Sequence, residues 1–322
     1  MRSYKIWWVK IFLTLGILNG LSWAQENPNK TIPGRTNGVG FQLGSLRSSV
    51  SFKSQYISYE GTSFYSLSGL WFKIKKFPAI FLAFSRNPEI EGSKRFYVYV
   101  PVMIDRKALF EFELAYLKGF NLKDLDSEAT IELKNFESMR MLGSVTLFLK
   151  PNNFSWKHAF SFGERQIKSG GTWAVGSDLG LYSFNIGRNI PLVLNDSSVI
   201  FFRQLSMLFV DVFFGAYYNF IIKSWQKNGK TRTLGLGGSL MLGLSMQIGN
   251  VTLNNKNYST SRLEMFGLVH GSFHMLYTTD RWVFRIYTFA RKHNVSFDKL
   301  ITIGNHWSNA AFQIIYLFGP IG

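Results

Sequence analysis

Cysteine is absent from all 322 residues. Its absence excludes a disulfide-stapled exoprotein, a thiolate metal site and a lipid-modified N-terminal cysteine. Acidic residues are also scarce, 19 against 36 lysines and arginines, for a formal net charge of +17. Such an excess attracts anions, including lipopolysaccharide phosphates and anionic solutes. No dense basic block stands out, so the basic residues also read as loop and membrane-boundary positions whose long stems can snorkel. Helical heptads, low-complexity tracts and fixed-period repeats are missing as well, which argues against coiled coils and solenoids.

The N-terminus carries a targeting signal. Arg2 and Lys5 open a basic stretch, and Ile11 to Gln25 then runs without a charge. That run is too short for the roughly 20 residues of a membrane-spanning helix. Ser22 and Ala24 supply the small residues a signal peptidase requires, so residues 1–24 are expected to be cleaved as a signal peptide near Ala24. Residues 25–38, rich in Pro, Asn and Gly, read as a short flexible lead-in, and 39–322 as a single β domain. An export signal argues against nucleic-acid binding, as does the dispersal of aromatics outside any basic stripe.

Aromatic residues make up 17% of the chain and hydrophobic residues 46%, yet mean hydropathy is only +0.03. A structure that shows apolar surface on one side and polar surface on the other reconciles these values. Period two supplies it. Val212, Phe214, Ala216, Tyr218, Phe220 and Ile222 alternate with Asp211, Gly215, Tyr217, Asn219 and Lys223. Leu240, Leu242, Leu244, Met246 and Ile248 alternate with Met241, Gly243, Ser245, Gln247 and Gly249, a glycine spacing poorly suited to a helix. Trp282, Phe284 and Ile286 oppose Arg281, Val283 and Arg285, while Phe110 and Phe112 oppose Glu111 and Glu113. Outward residues in a membrane barrel meet lipid and inward ones meet a polar lumen. The expected fold is therefore all-β, a transmembrane antiparallel up-and-down β-barrel of about 12 strands. Glu111, Glu113, Asp178, Asp211, Asn219, Arg281 and Arg285 are the expected lumen-facing groups. Polar connectors are expected at 87–93, 124–138, 187–198, 225–230, 250–260 and 293–309.

Three segments carry a family resemblance. The run NFSWKHAFSFGERQIKSGGTW, Asn153 to Trp173, resembles the central signature of domain of unknown function 4421, whose members look like bacterial outer-membrane barrels. Phe154, Ser155, Ala159 and Phe160 match its first part, and Glu164, Arg165, Gln166, Lys168, Ser169 and Gly171 its second. YLKGFNL at Tyr116 to Leu122 and SMRMLGSVTLFL at Ser138 to Leu149 are similar to the family's upstream elements. Trp156, Lys157 and Gly170 depart from the usual pattern. The resemblance implies a barrel and brings no agreed activity. Physically, Glu164 to Gly171 reads as a tight charged turn between two strands, held by hydrogen bonds among its own groups or to the wall. The alternative is a binding or gating element folded into the lumen.

Catalytic signals are weak. His270 and His274 share a strand face, but four residues at about 3.3 Å each place them too far apart for one metal ion. Ser272 between them is the least implausible hydrolase residue, and no G-x-S-x-G elbow or H-E-x-x-H motif accompanies it. No catalytic residue, metal or cofactor is expected. The sequence thus points to a monomeric barrel of the bacterial outer membrane, contacting its lipids and lipopolysaccharide, in a structural, adhesive or passive transport role. The alternative is a barrel enzyme, hydrolytic or lipid-modifying, at the outer leaflet.

Overall fold

A computed structural model describes residues 31–33, 35–53, 58–74, 78–87, 89–104, 106–124, 130–158, 164–195, 198–297 and 301–321. Fourteen strands are found among them: β1 (Thr31–Pro33), β2 (Arg35–Lys53), β3 (Ser58–Lys73), β4 (Ile80–Arg86), β5 (Lys94–Ile104), β6 (Ala108–Asp124), β7 (Thr130–Phe148), β8 (Glu164–Gln166), β9 (Gly170–Asn195), β10 (Ser198–Lys227), β11 (Lys230–Leu253), β12 (Lys256–Thr278), β13 (Trp282–Phe297) and β14 (Ile301–Ile321). Twelve of these close into an antiparallel meander in which each strand pairs with its chain neighbour and β14 pairs with β2. The remaining two, β1 and β8, form a small separate sheet. Closure leaves no edge in lipid, where an unpaired backbone group is costly.

The alternation in the sequence becomes the two faces of the wall. Val212, Phe214, Phe220, Leu242, Leu244, Met246 and Ile248 are exposed on the outside, while Asp211, Asn219, Ser245 and Gln247 are buried on the inside. Phe41, Leu70, Phe84, Phe110, Phe112 and Trp282 continue the apolar exterior around the barrel. Two hairpin turns follow from asparagine. Asn228–Gly229 and Asn254–Asn255 hold positive φ at both turn positions, which matches the right-handed twist of the flanking strands. Asn and Gly tolerate that conformation at low cost.

Most strands outrun the membrane. A spanning strand needs about 9–11 residues. β5 has 11, whereas β9, β10 and β11 have 26, 30 and 24. The expected connectors at 124–138, 187–198, 250–260 and 293–309 are therefore largely strand, because polar residues there still pair in register outside the apolar belt. In this extension the interior changes character. Phe120, Phe136, Phe184, Phe202 and Phe209, each at most 1% exposed, pack into one apolar cluster with Tyr59, Ile186 and Ile190. Beyond the short β4–β5 hairpin, β3 pairs directly with β6 through Tyr59–Asp124 and Glu60–Lys123, narrowing the wall around this cluster. The barrel thus has an interior within the belt that mixes charged and polar groups with apolar clusters around Trp71 and Phe213, and a wholly apolar cluster, its roof, beyond it.

The expected lead-in at 25–38 is replaced over its described part. Residues 31–33 form β1 and β2 starts at Arg35, since backbone groups entering the barrel gain partners there. The rest of that lead-in up to residue 30, and the whole expected signal peptide, lie outside the described residues.

Candidate functional site

The lumen is built in layers, and the signature segment forms its floor. The chain leaves β7 at Phe148 and returns at Gly170, the start of the adjacent β9. Between them it turns inward. Phe154 packs on Phe148 and Tyr217 at ring distances of 5.7 and 5.5 Å. Trp156, 4% exposed, reaches the middle of the lumen. Gln166 is fully buried; its Oε1 accepts from Ser155 N at 3.0 Å and from Asn219 Nδ2 at 2.9 Å. Asn219 Nδ2 also donates to Ser155 O at 3.2 Å, so an inward residue of β10 holds both arms of the segment.

The charged signature residues divide their contacts between segment and wall. Arg165 donates to Thr231 O and Asp280 O, both at 3.0 Å, and forms an ion pair with the Asp280 carboxylate at 3.4 Å. Arg35, at the start of β2, binds the same carboxylate at 2.7 Å. Glu164 accepts from Ser155 Oγ at 3.0 Å and from Arg106 Nε at 3.1 Å, with Lys157 3.7 Å away. The Ser169 hydroxyl accepts from Ile221 N at 2.9 Å. Lys168 is exposed, and its carbonyl accepts from Gln166 Nε2 at 2.9 Å. Gly171 is buried where a Cβ would meet Tyr217 O and Tyr218 Cδ2 at 2.5 Å. The expected tight turn is accordingly corrected: residues 149–158 and 164–169 form a re-entrant plug, and Glu164–Gln166 pairs with Thr31–Pro33 inside the end of the barrel. Buried glutamine, histidine and tryptophan need partners on several strands, which a surface hairpin lacks. Ala159 and Phe160 of the signature lie outside the described residues.

Electrostatics in the plug follow from this burial. His158 is 2% exposed, and its Nδ1 accepts from Gln166 N at 3.1 Å. Burial first, and the Arg165 guanidinium second, push its pKa down to about 3. Burial also lowers Arg165, against the opposing pull of Asp280. Burial raises the Asp280 carboxyl, but the guanidinium groups of Arg35 and Arg165 more than offset this and hold it below the ordinary value.

Above the plug lies a girdle of charges. Arg140 on β7 donates to Glu113 on neighbouring β6, and Arg291 on β13 crosses the lumen to Asp178 on β9. Tyr99 OH donates to Glu111, and the Arg285 guanidinium stands 4.2 Å from the Tyr287 ring centroid. Glu111, Asp178, Arg285 and Arg291 line a central cavity of about 130 Å³ together with Tyr97 and Tyr217. Among the expected lumen residues, Glu113, Asp178, Asp211, Asn219 and Arg285 are buried and Glu111 is half-buried. Arg281 is the exception. It is exposed, ahead of the first residue of β13, and donates to Tyr316 OH at 3.3 Å on the rim. Sequence reasoning missed Arg140 and Arg291. Arg291 has the same parity as Arg285 and was legible by extending the β13 alternation six residues further.

His270 and Ser272 line the central cavity, and His274 is buried on the same strand. Ser272 Oγ shares a 2.7 Å hydrogen bond with Ser239 Oγ, and His270 meets the Phe289 ring edge-on at 5.4 Å. No group of three His, Asp or Glu residues suited to a metal ion occurs among the described residues.

Residues 76–318 match the family described as domain of unknown function (DUF4421). The chain belongs to this family. The match takes in the segments at Tyr116 to Leu122, Ser138 to Leu149 and Asn153 to Trp173, so the plug is part of the DUF4421 unit. No curated protein matches the sequence. Similar solved structures include the outer membrane protease OmpT from Escherichia coli, at 10% identity and a TM-score of 0.41, with 91% of this chain and 100% of that one covered. The beta domain of the Bordetella autotransporter BrkA is 8% identical at a TM-score of 0.39, covering 87% and 99%. The Pseudomonas putida toluene transporter TodX is 9% identical at 0.31, covering 87% and 90%.

Proposed function

We propose that this DUF4421 chain is a closed barrel of the bacterial outer membrane, exported through its N-terminal leader. In this reading its role is structural or adhesive, and its long hairpins form a rigid surface outside the cell. The observation that carries the reading is double obstruction of the lumen: the plug anchored by Arg165 and Gln166 at one end, and the phenylalanine cluster around Phe184 at the other. A passive pore needs a continuous aqueous path, and packed aromatic side chains offer none. The short turns at 228–229 and 279–281 share an end with the plug, so this end is assigned to the periplasm and the long hairpins to the exterior.

Single-channel recording on refolded protein in planar bilayers tests the reading. The expected trace is silent across physiological voltages, and a steady open-state current in the unmodified protein would sink it. For the alternative of a barrel enzyme, Ser272 is the candidate residue, and its described partner is another serine hydroxyl.

A further inference from the structure

The outer wall carries a feature that alternation alone does not explain. Lys94 on β5 and Lys118 on β6 are paired directly across the ladder. The adjacent Ser85–Arg95 pairing sets Arg86 of β4 beside Lys94. Arg86 and Lys94 are exposed, and Lys118 is half-exposed on the same outward face. Three cations therefore stand on three successive strands, each about 4.8 Å from the next. Like charges placed opposite one another on a sheet face are destabilising. Lys118 has partial relief from Glu137, 3.8 Å away, whose Oε1 also accepts from Tyr116 OH. Among the described residues no acid pairs with Arg86 or Lys94. The neighbouring turn holds Glu89, exposed, and Glu91, which is 3.8 Å from Lys134.

Location gives the row its meaning. Two residues toward the plug end, the same face carries Phe84, Phe96 and Tyr116, and the Phe84 and Phe96 rings pack against each other at 5.1 Å, tilted by 47°, with Phe84 61% exposed. Below them, Val102, Ile104, Phe110 and Phe112 continue an apolar surface. β5 spans Lys94 to Ile104, one membrane thickness of strand. The cations thus crown the lipid-facing belt at the headgroup level, on the side assigned to the cell exterior.

We propose that Arg86, Lys94 and Lys118 form a binding site for the phosphate groups of an outer-leaflet glycolipid whose acyl chains lie along Phe84 and Phe96. The inference rests on the orientation given under the proposed function. A phosphate monoester carries enough charge to neutralise the unpaired cations, and guanidinium binds it bidentately. The adjoining ring pair supplies the apolar half of the site, which free phosphate cannot use.

The test uses the full mature chain refolded into phosphatidylcholine nanodiscs doped with lipid A, with the same glycolipid stripped of phosphate, or with inorganic phosphate added to undoped discs. Native mass spectrometry counts retained glycolipid, and circular dichroism reports folding. Lipid A is expected to be retained, its dephosphorylated form is not, and inorganic phosphate does not raise the melting temperature. Two basic side chains at a lipid surface are worth about thirtyfold in binding, so R86Q/K94Q is expected to lose retention by about that factor. K107Q, at the opposite rim, is expected to keep it. Equal retention of both glycolipids, or undiminished retention by folded R86Q/K94Q, overturns the site. Orientation is read separately in intact cells by labelling single cysteines, K230C at the plug end and K256C at the far end, in this otherwise cysteine-free chain. Labelling of K230C alone refutes the assignment to the outer leaflet even if lipid A binds in nanodiscs.

Discussion

Arg165, in the middle of a three-residue strand, and Asp280, in the turn between β12 and β13, are joined across 115 positions of sequence by an ion pair and a main-chain hydrogen bond. Arg35 binds the same carboxylate, so Asp280 ties the entry of the first barrel strand to the plug. Arg165→Gln is expected to weaken the plug by about 2 kcal/mol, the typical worth of a hydrogen bond to a charged group. Limited proteolysis of the refolded protein is expected to cut between residues 150 and 169 faster than in the parent. Unchanged cleavage would mean that the plug stands without this clasp.

Acid is expected to loosen the same element. The folded His158 is neutral with its pKa held near 3, whereas the unfolded chain binds a proton near 6.5. Its stabilising contribution is complete above pH 6.5 and declines as pH falls from 6.5 toward 3. Asp280, with a lowered carboxyl pKa, contributes above its ordinary value and loses that contribution only at more acid pH. Thermal midpoints recorded from pH 8 to 4 are expected to fall below pH 6.5 in the parent and to fall less in His158→Asn, which keeps a side-chain acceptor. A flat parent profile contradicts the burial of a neutral imidazole.

Removing one member of a buried ion pair strands the other. Asp178→Asn leaves Arg291 without its cross-lumen carboxylate, and Glu113→Gln takes from Arg140 the carboxylate it binds on the neighbouring strand. Each is expected to cost about 3–5 kcal/mol. Replacing both partners, as in Glu113→Leu with Arg140→Met, is expected to cost less than the sum of the single changes. Urea unfolding in lipid vesicles measures both, and strict additivity would show that the pairs do not interact.

The apolar roof makes its own prediction. Phe184 contacts the Phe136, Tyr182 and Phe202 rings at 5.6 to 5.9 Å and is 1% exposed. Phe184→Ala is expected to destabilise the protein by about 3–5 kcal/mol through cavity formation. Hydrogen exchange should rise in β9 and β10 beyond the belt and stay slow within it; a uniform rise across the barrel would show that the roof is not a separate layer.

Much of the wall could be read from residue order. The faces of β10 and β11 followed from alternation because a side chain on a strand has only two directions to take. Strand ends were less legible. Asn250 to Thr260 has loop composition, yet Asn250 pairs with Ser259 and Val251 with Tyr258, because polar residues extend a ladder as well as apolar ones once outside lipid. The signature segment was the hardest part. Its glutamate, arginine and lysine suggest a surface turn, and nothing local indicates that Gln166 meets Asn219 from 53 residues away.

Residue order alone determined a cysteine-free, basic chain whose two-residue period yields a lipid-facing exterior and a polar interior, since those depend on parity within single strands. Tertiary structure decided which interior groups meet: Asp178 with Arg291, Gln166 with Asn219, Phe184 with Phe202. Hairpin turns set each strand's shift against its neighbour, but only closure of the sheet fixes the total stagger around the barrel, and that total determines which side chains share a level of the lumen.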